Sequence, residues 1–142
     1  MFVFDDCVAL ITSRSAKIFA EALEKVLKPY NVTRTQWIAM YYIYNSDCIT
    51  QRQLADKMSI KEPTVVRLLQ KMEYDSFLCR TGCTKDKRVK YLKLTQNGVK
   101  ACVDLMPIVE KFKNDAVVGI DEDILQIFKK VLNKMTENTL NI

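Results

Sequence analysis

A chain of 142 residues, 49% hydrophobic with only three glycines and three prolines, is long enough for one domain with a real core and too poor in turn residues for a many-turned β fold. It contains no histidine, which removes the usual general base and the commonest zinc ligand. Net charge is +5 and the excess is local: residues 50–95 hold eleven Lys/Arg against five Asp/Glu, while the remainder holds eleven against twelve, an asymmetry suited to a polyanion.

The first residues, MFVFDDCVALI, lack a basic lead and carry Asp5 and Asp6, so they do not read as a secretory signal. The longest uncharged run, 35–46, is too short and too polar for a bilayer. The expected location is cytoplasmic, with the five cysteines mostly reduced. Residues 6–28 predict a long amphipathic helix. Val8, Ile11, Ile18, Phe19, Leu23, Val26 and Leu27 recur at helical steps, Glu21–Lys25 and Glu24–Lys28 are favourable pairs, and Pro29 stops it.

Thr33 and Gln36 form a capping box that starts a second helix, with Trp37, Met40, Tyr41 and Tyr44 as a bulky stripe. The same cap recurs at Thr50 and Gln53 and opens a short third helix with Leu54, Ala55 and Met58 inward. A fourth helix is expected from about Glu62 to Tyr74. Pro63 suits its first turn, Val65, Leu68, Leu69 and Met72 face inward, and Lys61, Thr64, Arg67 and Lys71 lie on the opposite stripe.

Residues 78–83 and 89–95 predict two strands with Leu92 and Leu94 inward, around the charged tip Thr84-Lys85-Asp86-Lys87-Arg88. Thr95 caps a fifth helix that extends to about Val118 and should kink at Pro107. Gly119 breaks the chain, and Asp121 caps a last helix with Ile124, Ile127, Phe128, Val131 and Met135 as its stripe. The first and last helices are more apolar than a small winged domain requires, which points to a second copy.

Two short helices followed by two short strands with a basic tip describe a winged helix-turn-helix, whose second helix fits the DNA major groove. The fold class is therefore mainly α: a winged helix-turn-helix with a two-stranded β wing, and N- and C-terminal helices forming a dimerisation region. Catalysis lacks a template, with no histidine, no Gly-rich phosphate loop and no His/Cys metal spacing, so neither an enzyme nor a cofactor is expected. Asp5-Asp6 and Asp121-Glu122-Asp123 read as helix starts, where negative charge is favourable.

Five pieces carry a resemblance: Thr33-Arg34-Thr35-Gln36-Trp37, Gln53-Leu54-Ala55, Pro63-Thr64-Val65-Val66-Arg67-Leu68, Asp86-Lys87-Arg88 and Leu94-Thr95-Gln96-Asn97-Gly98. In this order and spacing they resemble the MarR family of transcriptional regulators over nearly the whole chain. The resemblance implies a homodimer with interlocked terminal helices (1–32 and 99–142), a winged lobe at 33–98, and a pseudo-palindromic operator read by two helices roughly 34 Å apart. It also implies that Arg88 enters the minor groove, that Asp86 orients it, and that a small aromatic or amphipathic effector shifts the dimer between two states. Two positions depart from the pattern: Lys61 replaces a Ser or Asp cap, and Ser76 stands where Gly is common.

The expected DNA contacts are Lys61, Glu62, Thr64 and Arg67 at bases, Gln51, Arg52, Arg80, Lys85 and Lys87 at phosphates, and Arg88 with Asp86 at the minor groove. Trp37, Met40, Tyr41 and Tyr44 with Arg14 and Ser15 suit an effector pocket, or simply the packing of the second helix on the first and fifth. Among the cysteines, the counterpart of the family's peroxide-sensing residue is Ser15, not Cys7. Cys79 and Cys83 are about 13 Å apart in an extended strand, too far for a disulfide unless Gly82 bends the strand, and Cys48 and Cys102 are expected to be small buried residues. The function expected is a sequence-specific, ligand-responsive repressor. The alternatives are a winged protein-interaction module without DNA binding and a thiol-based redox regulator.

Overall fold

Side-chain caps decide where several of the helices begin. The computed structural model describes residues 1–82 and 89–142. Helix α2 (Arg34–Tyr44) starts on Thr33 and α3 (Gln51–Met58) on Thr50, each with both halves of a capping box formed, and α5 (Gln96–Ala116) starts on Thr95, whose hydroxyl accepts the Gly98 N–H at 3.0 Å. Helix α1 (Val8–Leu27) begins two residues later than the periodicity suggests. Phe4–Asp6 makes a separate 3-10 turn and Cys7 is extended, which breaks the helical run. The other end is as expected: Pro29 lies in a 3-10 turn at Lys28–Tyr30, closed by a left-handed Asn31.

Helix α4 (Glu62–Tyr74) has Lys61 at its N-cap with no side-chain hydrogen bond, the consequence of losing a Ser or Asp there. Strands β1 (Leu78–Gly82) and β2 (Lys90–Leu94) pair antiparallel, with Leu78 opposite Leu94 and Arg80 opposite Leu92. Ile49 adds a bridge to Leu92 on the far side, its carbonyl accepting the Leu92 N–H at 2.9 Å. Helix α5 runs continuously through Pro107, and α6 (Glu122–Leu140) follows a left-handed Gly119 and Asp121.

The core lies in the winged lobe and the first half of α5. Met40, Leu54, Val65, Leu69 and Met72 are wholly buried, with Ile49, Leu78, Leu92, Leu94, Cys102 and Leu105 around them. Leu27 joins it from α1. Outside this cluster the apolar stripes are bare: α6 has no buried residue, and Val8, Ile18, Phe19, Ile124, Ile127, Phe128 and Val131 are exposed. An amphipathic helix owes most of its stability to the packing of its apolar face, so these stripes mark surface that a single chain leaves uncovered.

One cysteine differs from expectation. Cys102 is buried in the core, and burial pushes its thiol up to about 11. Cys48 is exposed instead, because the loop after α2 turns Ile49, its neighbour, into the core. Cys83 lies outside the described residues.

Candidate nucleic-acid interface

Helix α3 ends on Ser59 in the left-handed region (φ 54°), whose N–H closes back on the α3 carbonyls. Two residues later Lys61 starts α4: its carbonyl accepts the N–H groups of Thr64 at 3.0 Å and Val65 at 3.1 Å. This tight joint directs Val65, Leu69 and Met72 into the core, and the helical repeat then places Lys61, Glu62, Thr64 and Arg67 outward, all exposed.

The charges along α4 are not equivalent. At its rear, Lys71 Nζ sits 3.0 Å from Asp75 Oδ1, and Glu73 Oε1 receives Arg80 Nε at 3.0 Å. At its front, Arg67 makes only a long 3.4 Å bond to the Pro63 carbonyl of its own helix, and Lys61 makes none. Among the described residues neither has a carboxylate partner. The front half of α4 is therefore an exposed cationic surface next to hydroxyl and carboxylate groups that can read base edges.

Of the expected phosphate contacts, Arg52 on α3 is exposed and unpaired among the described residues. Gln51 and Arg80 are brought together, with Arg80 Nη1 donating to Gln51 Oε1 at 3.4 Å and Nε to Glu73, so two of the five guanidinium N–H donors are engaged within the lobe. Lys85, Asp86, Lys87 and Arg88 lie outside the described residues.

The six expected effector residues do not share one groove in the single chain. Met40 is wholly buried and Trp37 nearly so, its ring stacked on Tyr41 at 5.5 Å between centroids. Met40 is thus a core residue, and Trp37 shows Nε1 without a hydrogen-bond partner among the described residues. Tyr44 lines a groove of about 380 Å³ with Cys48, Thr81, Tyr91 and Lys93. Arg14 lines another of about 400 Å³ with Phe4, Leu10 and Lys17, beside a half-buried Ser15.

The sequence did not single out Asp75, and it paired Glu24 with Lys28 rather than with the start of α2. Asp75 hooks the buried Gln36 at 2.8 Å, and Glu24 of α1 accepts the Arg34 N–H at 2.8 Å. No local pattern announces either, since both bonds join distant parts of the chain. Burial alone would raise the Asp75 pKa, but the hydrogen bonds from Lys71 and Gln36 outweigh it and hold the carboxyl below its ordinary value.

Comparison with known proteins agrees with this geometry. Residues 32–90 match the family model described as MarR family. Over that segment the chain is similar to the MarR family. The transcription regulator MarR from Oenococcus oeni PSU-1 superposes with a TM-score of 0.78 at 26% identity, covering 92% of this chain and 98% of that one. MepR from S. aureus, solved as a DNA complex, gives 0.84 at 22% identity over 97% and 99%. CouR from Rhodococcus jostii RHA1, bound to p-coumaroyl-CoA, gives 0.85 at 19% over 95% of each. The MarR architecture thus extends beyond the matched segment to both terminal helices. The assignment is to transcriptional regulators and not to an enzyme class. Among the described residues no helix is long and apolar enough to cross a membrane.

Proposed function

We propose that this chain is a homodimeric, sequence-specific DNA-binding transcriptional regulator that acts as a repressor and releases its operator when a small effector binds. The observation that carries the DNA-binding reading is the pair of cations Lys61 and Arg67 on the exposed front of α4, neither with a carboxylate partner among the described residues. Such cations beside Thr64 and Glu62 fit a polyanion whose bases must also be read. The MepR structure, itself a DNA complex, shares this architecture.

In this reading Lys61, Glu62, Thr64 and Arg67 approach bases, Gln51, Arg52, Arg80, Lys85 and Lys87 contact phosphates, and Arg88, oriented by Asp86, enters the minor groove. The bare apolar stripes of α1 and α6 support pairing through residues 1–32 and 99–142, leaving 33–98 as the DNA-binding lobe. The effector reading draws on the ligand-bound CouR structure and on the Trp37–Tyr41 stack, with Arg14, Ser15 and Tyr44 completing the site in the dimer and Met40 packed behind it in the core. A planar aromatic or amphipathic molecule suits such walls.

A gel shift with the DNA upstream of the chain's own coding sequence tests the proposal, with a scrambled duplex of equal length as control. Selective retardation of the upstream DNA is expected. Retardation of neither would favour a winged protein-interaction module without DNA binding, and equal retardation of both would contradict sequence-specific recognition.

A further inference from the structure

Gln36 is the buried polar side chain of the core, 2% exposed among the described residues. A buried amide must have its donors and acceptor satisfied. Its oxygen serves the start of α2, accepting the Thr33 N–H at 3.0 Å. Its nitrogen reaches across the fold and donates to Asp75 Oδ2 at 2.8 Å. Asp75 is the C-cap of α4, where a carboxylate faces the negative end of the helix dipole. Within the helix the exposed Lys71 engages Oδ1 at 3.0 Å, while Oδ2 is left to the contact with Gln36 that joins this end of α4 to α2.

The start of α2 is gripped from a second side, because Glu24 of α1 accepts the Arg34 N–H at 2.8 Å. A line of polar contacts thus runs from α1, through the first turn of α2, to the rear end of α4. The next residue, Ser76, is left-handed (φ 63°) and its carbonyl accepts the Thr95 hydroxyl at 2.5 Å, tying the same end to α5. The rear of α4 is held by polar bonds to α2 and α5, whereas its front is held to α3 by the Ser59 joint and by the packing of Val65, so the α3–α4 pair turns as one about the rear end. With a rise of 1.5 Å per residue, the tip at Lys61 lies about 21 Å from Asp75, so a rotation of about 10° at the pinned end moves the tip by about 3–4 Å. That is close to the 3.4 Å step of one base pair.

We propose that the Gln36–Asp75 hydrogen bond is a positioning joint: it fixes the angle of α4 against α1, and so the separation of the two reading helices in a dimer. The role in DNA reading rests on the function proposed above, whereas the joint does not. Two substitutions isolate it. Asp75→Ala removes the acceptor and leaves the capping box intact, while Asp75→Asn keeps an acceptor oxygen for Gln36 and loses the charge.

Residual dipolar couplings of the backbone amides in α1 and α4 report the angle between these helices with no DNA present. Asp75→Ala should rotate α4 by about 5° or more, and Asp75→Asn should match wild type. On duplexes selected from a random pool by the wild-type protein, inserting one base pair between half-sites should cost wild type and Asp75→Asn about tenfold or more in affinity. The same insertion should cost Asp75→Ala less than about threefold. A part that only stabilises the fold would lower the melting temperature without moving either readout. Wild-type couplings in Asp75→Ala, or an equal disturbance in Asp75→Asn, overturn the proposal. If Asp75→Ala does not fold, Gln36→Glu removes the donor to Asp75 while keeping an oxygen to accept the Thr33 N–H, and is read the same way. If wild type selects no duplex, the functional reading falls and the couplings alone decide the joint.

Discussion

Replacing Gly98 by alanine tests how the DNA-binding lobe is joined to α5. Gly98 is buried in the first turn of α5, and a Cβ built there would lie 2.2 Å from the Phe77 carbonyl oxygen, 3.0 Å from its carbon and 3.2 Å from its Cα. All three are backbone atoms in the turn that follows α4, so no flexible side chain can yield. The same turn is held by the Thr95 N–H donating to that Phe77 oxygen at 3.0 Å. Relief requires α5 and the turn to separate by about 1 Å, at the upper end of the ~1–3 kcal/mol usual for overpacking. Alanine returns about 1 kcal/mol through helix propensity, leaving a net loss of about 2 kcal/mol. For a chain of this size that lowers the melting temperature by roughly 8 °C. Thermal unfolding followed by circular dichroism, at one fixed protein concentration to hold any dimer linkage constant, measures it. A variant as stable as wild type, or more so, would refute the close approach.

Other positions give independent checks. Ser76 holds a left-handed conformation, so Ser76→Gly should raise stability by about 1 kcal/mol in urea unfolding; a loss would show that the hydroxyl, not the backbone, is what counts. Thr33→Ala and Thr50→Ala should each cost about 1 kcal/mol by removing a formed cap, and near-neutral variants would contradict both capping boxes. The folded Asp75 carboxyl titrates below its unfolded value of 3.8, so its contribution is present above that value and lost as pH falls through the lower folded pKa. Asp75→Asn should therefore flatten the acid limb of the stability curve, and an unchanged limb would remove that linkage. Cys102 behaves oppositely. Its thiol ionises near 9.0 when unfolded and about 11 when folded, so its contribution is full below 9.0 and falls away as pH rises towards 11. Mass-resolved alkylation at pH 8 should spare Cys102 in the folded protein, and ready modification would place it outside the core.

Much of the fold was written in local patterns. The two capping boxes, Thr95, the inward leucines of β2 and the apolar stripe of α4 each follow from spacing over a few residues, and the structure forms all of them. The polar front of α4 was legible for the same reason. What local patterns could not show was which cations would be neutralised. Arg80 looks as free as Arg67 in the sequence, yet the strand register carries it to Glu73 and Gln51. Cys48 was expected to be a small buried residue, as free cysteines often are, but the bridge of Ile49 to Leu92 turns it outward. Asp75 drew no role from the sequence, because its partner Gln36 lies 39 residues away. Met40 belonged to an aromatic stripe that suited a ligand wall, and packing took it wholly inside.

The front of α4 as a sequence reader is tested most directly by the affinity ratio between a selected duplex and its scrambled counterpart, measured by fluorescence anisotropy at matched salt for wild type and Arg67→Ala. Wild type should prefer the selected duplex by about 10³-fold or more. Arg67→Ala should lose about 1–3 kcal/mol on that duplex alone, while Arg52→Ala weakens both duplexes alike and lowers the salt slope by about one. An Arg67→Ala protein with the wild-type ratio would contradict the assignment of α4 as the element that reads bases.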